Sequence, residues 1–124
     1  MPILEVELVG LPDDAHLGEL ARRIAEAAAR VFHSAPGETW VKLTVIPLER
    51  YAENGGGPPE GVIPVFVRVL KRRVERGERQ QAEVKALTTA VAEVCRRPPE
   101  NVHLVYEPDA EGRVAFGGRI VGGE

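Results

Sequence analysis

Apolar residues and prolines recur in this sequence at a separation of about half its length. Four pairs are each 63 positions apart: Ile24 and Leu87, Ala28 and Val91, Val31 and Val94, and Pro36 and Pro99. Pro2 and Pro64 are 62 positions apart, which is half of the 124 residues. This period is longer than the roughly 20–50 residues of solenoid repeats. The sequence therefore predicts one structural unit that has been duplicated and fused.

The first half predicts a strand, a helix and a second strand. Ile3–Val9 and Trp40–Ile46 alternate between apolar and polar side chains, which is the pattern of a half-buried strand. Between them, apolar residues return every three or four positions from Leu17 to Val31, as on an amphipathic helix. Residues 11–14 predict the turn that starts this helix, and residues 34–37, which contain Pro and Gly, end it.

The second half repeats this order after a connection rich in Gly and Pro at residues 54–59. Val65–Leu70 alternates as a strand, and Gln80–Arg97 carries the apolar stripe of a helix. The last strand begins at Val102 and continues through Tyr106. The predicted order is therefore strand, helix, strand, repeated twice.

Two right-handed crossovers place both helices on the same face of one sheet. The predicted fold class is α/β, with two fused β-α-β units that form a four-stranded sheet with two helices on one face. At 124 residues the chain has the length of a single domain. Residues 1–57 form the first unit, and residues 58–124 form the second unit with a C-terminal segment.

The other face of this sheet is half polar. It is expected to carry these side chains: Glu5, Glu7, Lys42, Thr44, Arg68 and His103. Packing against other copies of the chain would cover such a face and its exposed strand edges. The order of the strands stays open at this point. They lie adjacent and parallel within each unit, or a strand is inserted between them as in ferredoxin-like domains.

Composition excludes several classes of protein. The formal charge of −3 argues against a nucleic-acid partner, and no apolar run reaches the roughly 20 residues that span a membrane. The N-terminus lacks the basic residues of a secretory signal, so we expect a cytoplasmic location. Cys95 lies alone on a helix stripe and is expected in the core. The three histidines lack metal-ligand spacing, so no metal site is expected.

Several short motifs, in this order, resemble the tautomerase superfamily. The motifs are Pro2-Ile3-Leu4 at the start of the first strand, Phe66-Val67 leading to Arg79-Gln80-Gln81-Ala82, Pro99-Glu100-Asn101-Val102-His103, and Ala115-Phe116-Gly117-Gly118. The resemblance covers the whole chain. It implies a homotrimer that acts without a cofactor on a small acidic organic substrate. The implied reaction is tautomerisation or isomerisation of a 2-keto or 2-hydroxy-unsaturated acid.

The same resemblance implies roles for individual residues. Removal of Met1 would leave Pro2 as a secondary amine, and an apolar surround keeps such an amine uncharged, as a general base must be. Arg72 and Arg73 fall near the positions that border this proline in the same chain. His103 corresponds to a residue that a neighbouring subunit contributes to the pocket. Phe116, with Ile3 and Phe66, is expected to supply the apolar surround.

A second interpretation, from a different class, is a non-catalytic trimeric module that binds a small ligand. Such a module is ferredoxin-like, or it is tautomerase-like but inactive. The order of the strands distinguishes the two folds, and the state of the N-terminus distinguishes the enzyme from the binding module.

Overall fold

The computed structural model describes residues 2–10 and 17–123. Four strands and two helices make up the two units: β1 (Ile3–Val9), α1 (Leu17–Phe32), β2 (Trp40–Ile46), β3 (Val65–Leu70), α2 (Glu78–Cys95) and β4 (Val102–Tyr106). A short hairpin, β5 (Ala115–Phe116) and β6 (Arg119–Ile120), follows them. The four long strands were all predicted from alternation. The predicted turn at residues 11–14 lies outside the described residues.

The sheet has the order β2-β1-β3-β4. β1 pairs in parallel with β2, and β3 pairs in parallel with β4, so the strands of each unit are direct neighbours. The two units join where β1 and β3 run antiparallel. The predicted pair of fused β-α-β units is therefore confirmed. The ferredoxin-like order, which needs a strand inserted within each unit, is wrong.

The second helix differs from its predicted bounds by two residues at each end. The apolar stripe predicted Gln80–Arg97, whereas α2 runs from Glu78 to Cys95. Gly77 has φ 65 and ψ −133, a conformation outside the helical region that only glycine adopts readily, so the helix begins after it. Arg96 is left-handed, with φ 55 and ψ 46, and this conformation ends the helix.

Both helices cover one face of the sheet. The buried side chains that form this layer are Leu4, Val6, Leu8, Ile24, Ala28, Val65, Val67, Val69, Leu87 and Val91. Cys95 is also buried here, as predicted, and burial raises the pKa of its thiol to about 11. The core is thus a single layer between the sheet and two helices.

The opposite face of the sheet has no covering layer among the described residues. Lys42, Glu5 and Arg68 occupy one row across β2, β1 and β3. Lys42 Nζ lies 2.8 Å from Glu5 Oε1, and this contact is the main cause of the lowered pKa of Glu5. The open face therefore carries paired charges in register.

Candidate active site

Pro2 is buried and directly precedes β1. Its carbonyl oxygen accepts a hydrogen bond of 3.0 Å from the backbone N–H of Trp40, the first residue of β2. This hydrogen bond fixes the backbone of Pro2 to the first residue of β2. The expected removal of Met1 lies outside the described residues.

Arg72 and Arg73 lie at the same end of the sheet as Pro2. Ile3 of β1 pairs with Leu70 of β3, and because these strands run antiparallel, the residues after Leu70 continue past the start of β1. The side chains of both arginines are largely exposed. The register thus brings both arginines to the end of the sheet where Pro2 lies, and their contact with Pro2 stays a prediction.

Glu111 binds both arginines and was not found by sequence reasoning. Arg72 Nε donates to Glu111 Oε2 at 3.0 Å, while Arg73 Nε and Nη2 donate to its two oxygens at 3.1 and 2.8 Å. The hydrogen bonding from Arg73 is the largest cause of a lowered pKa at Glu111, and that from Arg72 is the second. Together they bring this pKa below its ordinary value of 4.5. The arginine pair is thus already neutralised in part by a carboxylate of the same chain.

A buried polar network anchors the segment that carries these arginines. Lys71 Nζ lies 2.5 Å from Glu83 Oε1 on α2, and the Tyr106 hydroxyl donates to Glu83 Oε2 at 2.7 Å. The side chains of Lys71 and Glu83 are only 13% and 11% exposed. Burial, and then the bond to Glu83, raise the pKa of Tyr106. The network of Lys71, Glu83 and Tyr106 therefore holds the end of β3 against α2.

Phe116 of β5 lies beside the start of β1. Its ring packs edge-on against Trp40, with the ring centroids 5.4 Å apart. These two rings and Ile3, together with Gly37 and Glu38, line a cavity of about 120 Å³. Trp40, expected from the sequence only as the first residue of a strand, is 51% exposed. It pairs with Ile3 across β1 and β2, and this register brings it beside the start of β1.

A second cavity, of about 270 Å³, opens on the uncovered sheet face on the other side of Ile3. It is lined by Ile3, Glu5, Lys42, Arg68, Leu70, Glu107 and Arg113. Arg68 Nη1 lies 3.0 Å from Glu107 Oε1. The cationic side chains of Lys42, Arg68 and Arg113 therefore line a small cavity beside Ile3. We call it the charged cavity.

His103 does not meet Pro2 within one chain. It pairs with Phe66, their ring centroids are 5.5 Å apart, and Phe66 in turn pairs with Glu7. This register separates His103 from Pro2 by two strands and five residues, or about 20 Å from ordinary strand dimensions. The expectation that Phe66 surrounds Pro2 is wrong within the chain for the same reason. His103 remains a candidate only as a residue supplied by a neighbouring copy.

The described residues contain neither a cluster suited to a metal ion nor a helix suited to span a membrane. No three His, Cys, Asp or Glu side chains in residues 2–10 and 17–123 are grouped as a metal site requires. No helix of this part of the chain has both the length and the apolar character needed to cross a bilayer.

Sequence comparison finds no protein-family model and no curated protein that matches. Solved structures do match. An asymmetric trimer of the fused 4-OT called R7 superposes with a TM-score of 0.74 at 18% identity, over 95% of this chain and 94% of that one. Native fused 4-OT matches with a TM-score of 0.72 at 24% identity, over the same shares of the two chains.

A third match is malonate semialdehyde decarboxylase, with a TM-score of 0.66 and 20% identity over 93% of this chain and 90% of that one. All three proteins are tautomerase superfamily members. The likeness spans nearly the whole of each chain, so the resemblance predicted from the sequence is confirmed at the level of the fold. This chain has the tautomerase-superfamily fold.

Proposed function

We propose that the protein is a cofactor-independent tautomerase or isomerase of a small 2-keto or 2-hydroxy-unsaturated acid, with Pro2 as its general base. The observation that carries this proposal is the position of Pro2, which is buried at the end of the sheet where Arg72 and Arg73 also lie. The fold shared with fused 4-OT supports it.

The proposed reaction moves one proton. With Met1 removed, the uncharged nitrogen of Pro2 takes a proton from the carbon next to the carbonyl group, and the C–H electron pair forms the enolate. The protonated Pro2 then returns this proton to another carbon of the conjugated system, so the isomer forms with no net change in atoms or electrons. Burial favours the uncharged form of the amine that starts the cycle.

Arg72 and Arg73 are proposed to hold the oxygen on which the negative charge develops. Fixed guanidinium donors aimed at such an oxygen stabilise the transition state more than the ground state. Glu111 accepts from Arg72 Nε and from Arg73 Nε and Nη2, so the remaining N–H groups of both guanidinium groups are the ones proposed to bind this oxygen. Phe116 and Trp40 form the apolar wall of the adjacent cavity.

We further propose that the chain works as a homotrimer and that His103 of a neighbouring copy completes the pocket. The uncovered sheet face supplies a surface for this assembly, and the R7 fused 4-OT structure is itself an asymmetric trimer. A mass of three chains in light scattering at micromolar concentration is expected. A monomeric mass would contradict both the trimer and the role of His103.

The experiment compares Pro2→Ala with Pro64→Ala. Pro64 is the buried counterpart of Pro2 in the second unit, and its nitrogen is an amide. Enolisation of phenylpyruvate, followed by ultraviolet absorbance, should fall at least tenfold in Pro2→Ala and less than threefold in Pro64→Ala. Equal loss in both variants overturns the proposal.

The non-catalytic alternative predicts a different result in the same assay. A binding module of this fold binds the acid, but no keto acid in a panel of enol-pyruvate and muconate-type compounds is converted. Conversion of any of these acids that depends on Pro2 excludes this alternative.

A further inference from the structure

We propose that the groove between α1 and α2 docks an acidic amphipathic helix of a partner protein. This groove, which we call the helix groove, has a volume of about 990 Å³ and is lined by residues of both helices. It lies on the opposite side of the sheet from the charged cavity and from the face proposed to form the trimer, so that assembly leaves it accessible. The inference therefore goes beyond the proposed function and does not depend on Pro2.

The floor of the helix groove is apolar and recessed. Ala27 is buried, and Val31, Ala90 and Val94 are half-buried between the two helices. Side chains this small leave room for a ridge of larger apolar side chains, which is how helices pack against one another. The lining extends along α2 from residue 82 to residue 94, which is about 18 Å at the rise of an α-helix. The floor therefore matches a partner helix of about three turns.

The rim of the helix groove is positively charged. It carries four cations and two acids, a net charge of +2, in a chain whose formal charge is −3. None of these cations forms a salt bridge with a carboxylate in residues 2–10 and 17–123. Their charges are therefore available to acidic side chains that flank the apolar ridge of a partner. The exposed cations are Arg22, Arg23, Arg30 and Lys85, and the acids are Glu26 and Glu93.

The floor and the rim together favour an acidic helix over other partners. A second copy of the chain, docked through the same face, brings a charge of +2 against +2, and like charges oppose such a pair. Helices that lie on membranes present protruding aromatic residues or leucines, whereas this floor is recessed and consists of alanine and valine. The dense charge of a nucleic acid is repelled by Glu26 and Glu93 and by the net negative charge of the whole chain. An acidic helix with an apolar ridge satisfies both the floor and the rim.

Fluorescence anisotropy with labelled helical peptides of about 14 residues tests this inference on the full chain. The acidic probe carries leucines at i, i+3, i+4 and i+7 and glutamates on its other faces, and the control probe has lysines in place of the glutamates. The acidic probe should bind at least tenfold more tightly than the control probe. Its affinity should fall at least fivefold from about 50 mM to about 500 mM NaCl, because salt screens the rim charges.

Two variants of the helix groove are compared with one matched control. Arg23→Glu/Arg30→Glu reverses two rim charges, and Ala86→Trp fills an exposed part of the groove, so each should weaken binding of the acidic probe at least tenfold. Arg50→Glu/Arg76→Glu changes the net charge by the same amount at exposed arginines outside the groove, and it should change the affinity less than threefold. Thermal melting verifies that each variant is folded.

The results separate this inference from the proposed function. If the acidic probe does not bind, or if the groove variants and the control weaken its binding equally, the inference is wrong. Groove-dependent binding of oligodeoxythymidylate or of phosphatidylserine vesicles, without binding of the acidic probe, also overturns it. The groove variants should enolise phenylpyruvate at the native rate, because the groove lies outside the proposed active site. If no form of the chain enolises it while the acidic probe binds the groove, the proposed function fails and the docking surface stands.

Discussion

Replacement of Lys71 by Met tests the network that fixes the arginine-bearing end of β3. In the native chain the Glu83 carboxylate is bound by Lys71 Nζ and by the Tyr106 hydroxyl. Methionine keeps much of the apolar stem of Lys71 but removes its charge. Glu83 is then left as a buried anion with one neutral donor.

The expected loss is about 3 kcal/mol in the free energy of unfolding. Removing one partner of a buried ion pair costs about 3–5 kcal/mol, because the other charge stays desolvated. The lower end applies here since Tyr106 still donates to Glu83. For a domain of this size we expect a melting temperature lower by roughly 10–15 °C.

Urea unfolding of three variants tests this reasoning. Lys71→Met should lose about 3 kcal/mol, and the double variant Lys71→Met/Glu83→Gln should recover about 2 kcal/mol, because a neutral amide removes the buried charge and still accepts from Tyr106. Lys85→Met, on the exposed side of α2, should change stability by less than about 0.5 kcal/mol. A loss below about 1 kcal/mol in Lys71→Met, or no recovery in the double variant, would refute the reasoning.

Three further predictions follow from single groups. Glu111→Gln should destabilise the chain most at pH 7 in urea unfolding, and the loss should shrink as the pH falls below 4.5, because a carboxyl whose pKa is lowered from 4.5 stabilises only while ionised; a loss that does not change with pH would contradict this. Cys95 should react with iodoacetamide at pH 8 at least about a hundredfold more slowly in the folded chain than in urea, judged by mass spectrometry, because it is buried in the core and burial raises its pKa from 9.0 to about 11. Gly77→Ala should lower stability by about 1–3 kcal/mol in thermal melting, because its φ of 65 with ψ −133 is strained for any residue with a Cβ. Unchanged melting would show that this turn rearranges freely.

Most of the fold follows from the sequence because periodicity reports which side chains are buried. The alternation in Ile3–Val9 and Val65–Leu70 predicted strands, and the spacing of Ile24 and Leu87 predicted two equivalent helices. The ends of α2 were not predicted, since they depend on the conformations of Gly77 and Arg96 rather than on the apolar stripe.

The site was predictable only in part. Pro2 and the arginine pair share one end of the sheet because β1 and β3 are antiparallel neighbours, and the sequence left this strand order open. The bond from Arg73 to Glu111 and the contact between Trp40 and Phe116 depend on the path of the C-terminal segment. This segment contains no strand longer than two residues, so it leaves no periodic signal. The proposed approach of His103 to the Pro2 of a neighbouring copy rests on contacts between copies, which intrachain periodicity does not encode.

The most direct test of the central claim compares two forms of the chain that differ only at the N-terminus. One begins at Pro2 and the other retains Met1, and intact mass verifies each. We predict that the form beginning at Pro2 enolises phenylpyruvate, while the form with Met1 is inactive because an amide nitrogen has no basic lone pair. Equal rates for the two forms would show that Pro2 is not the base.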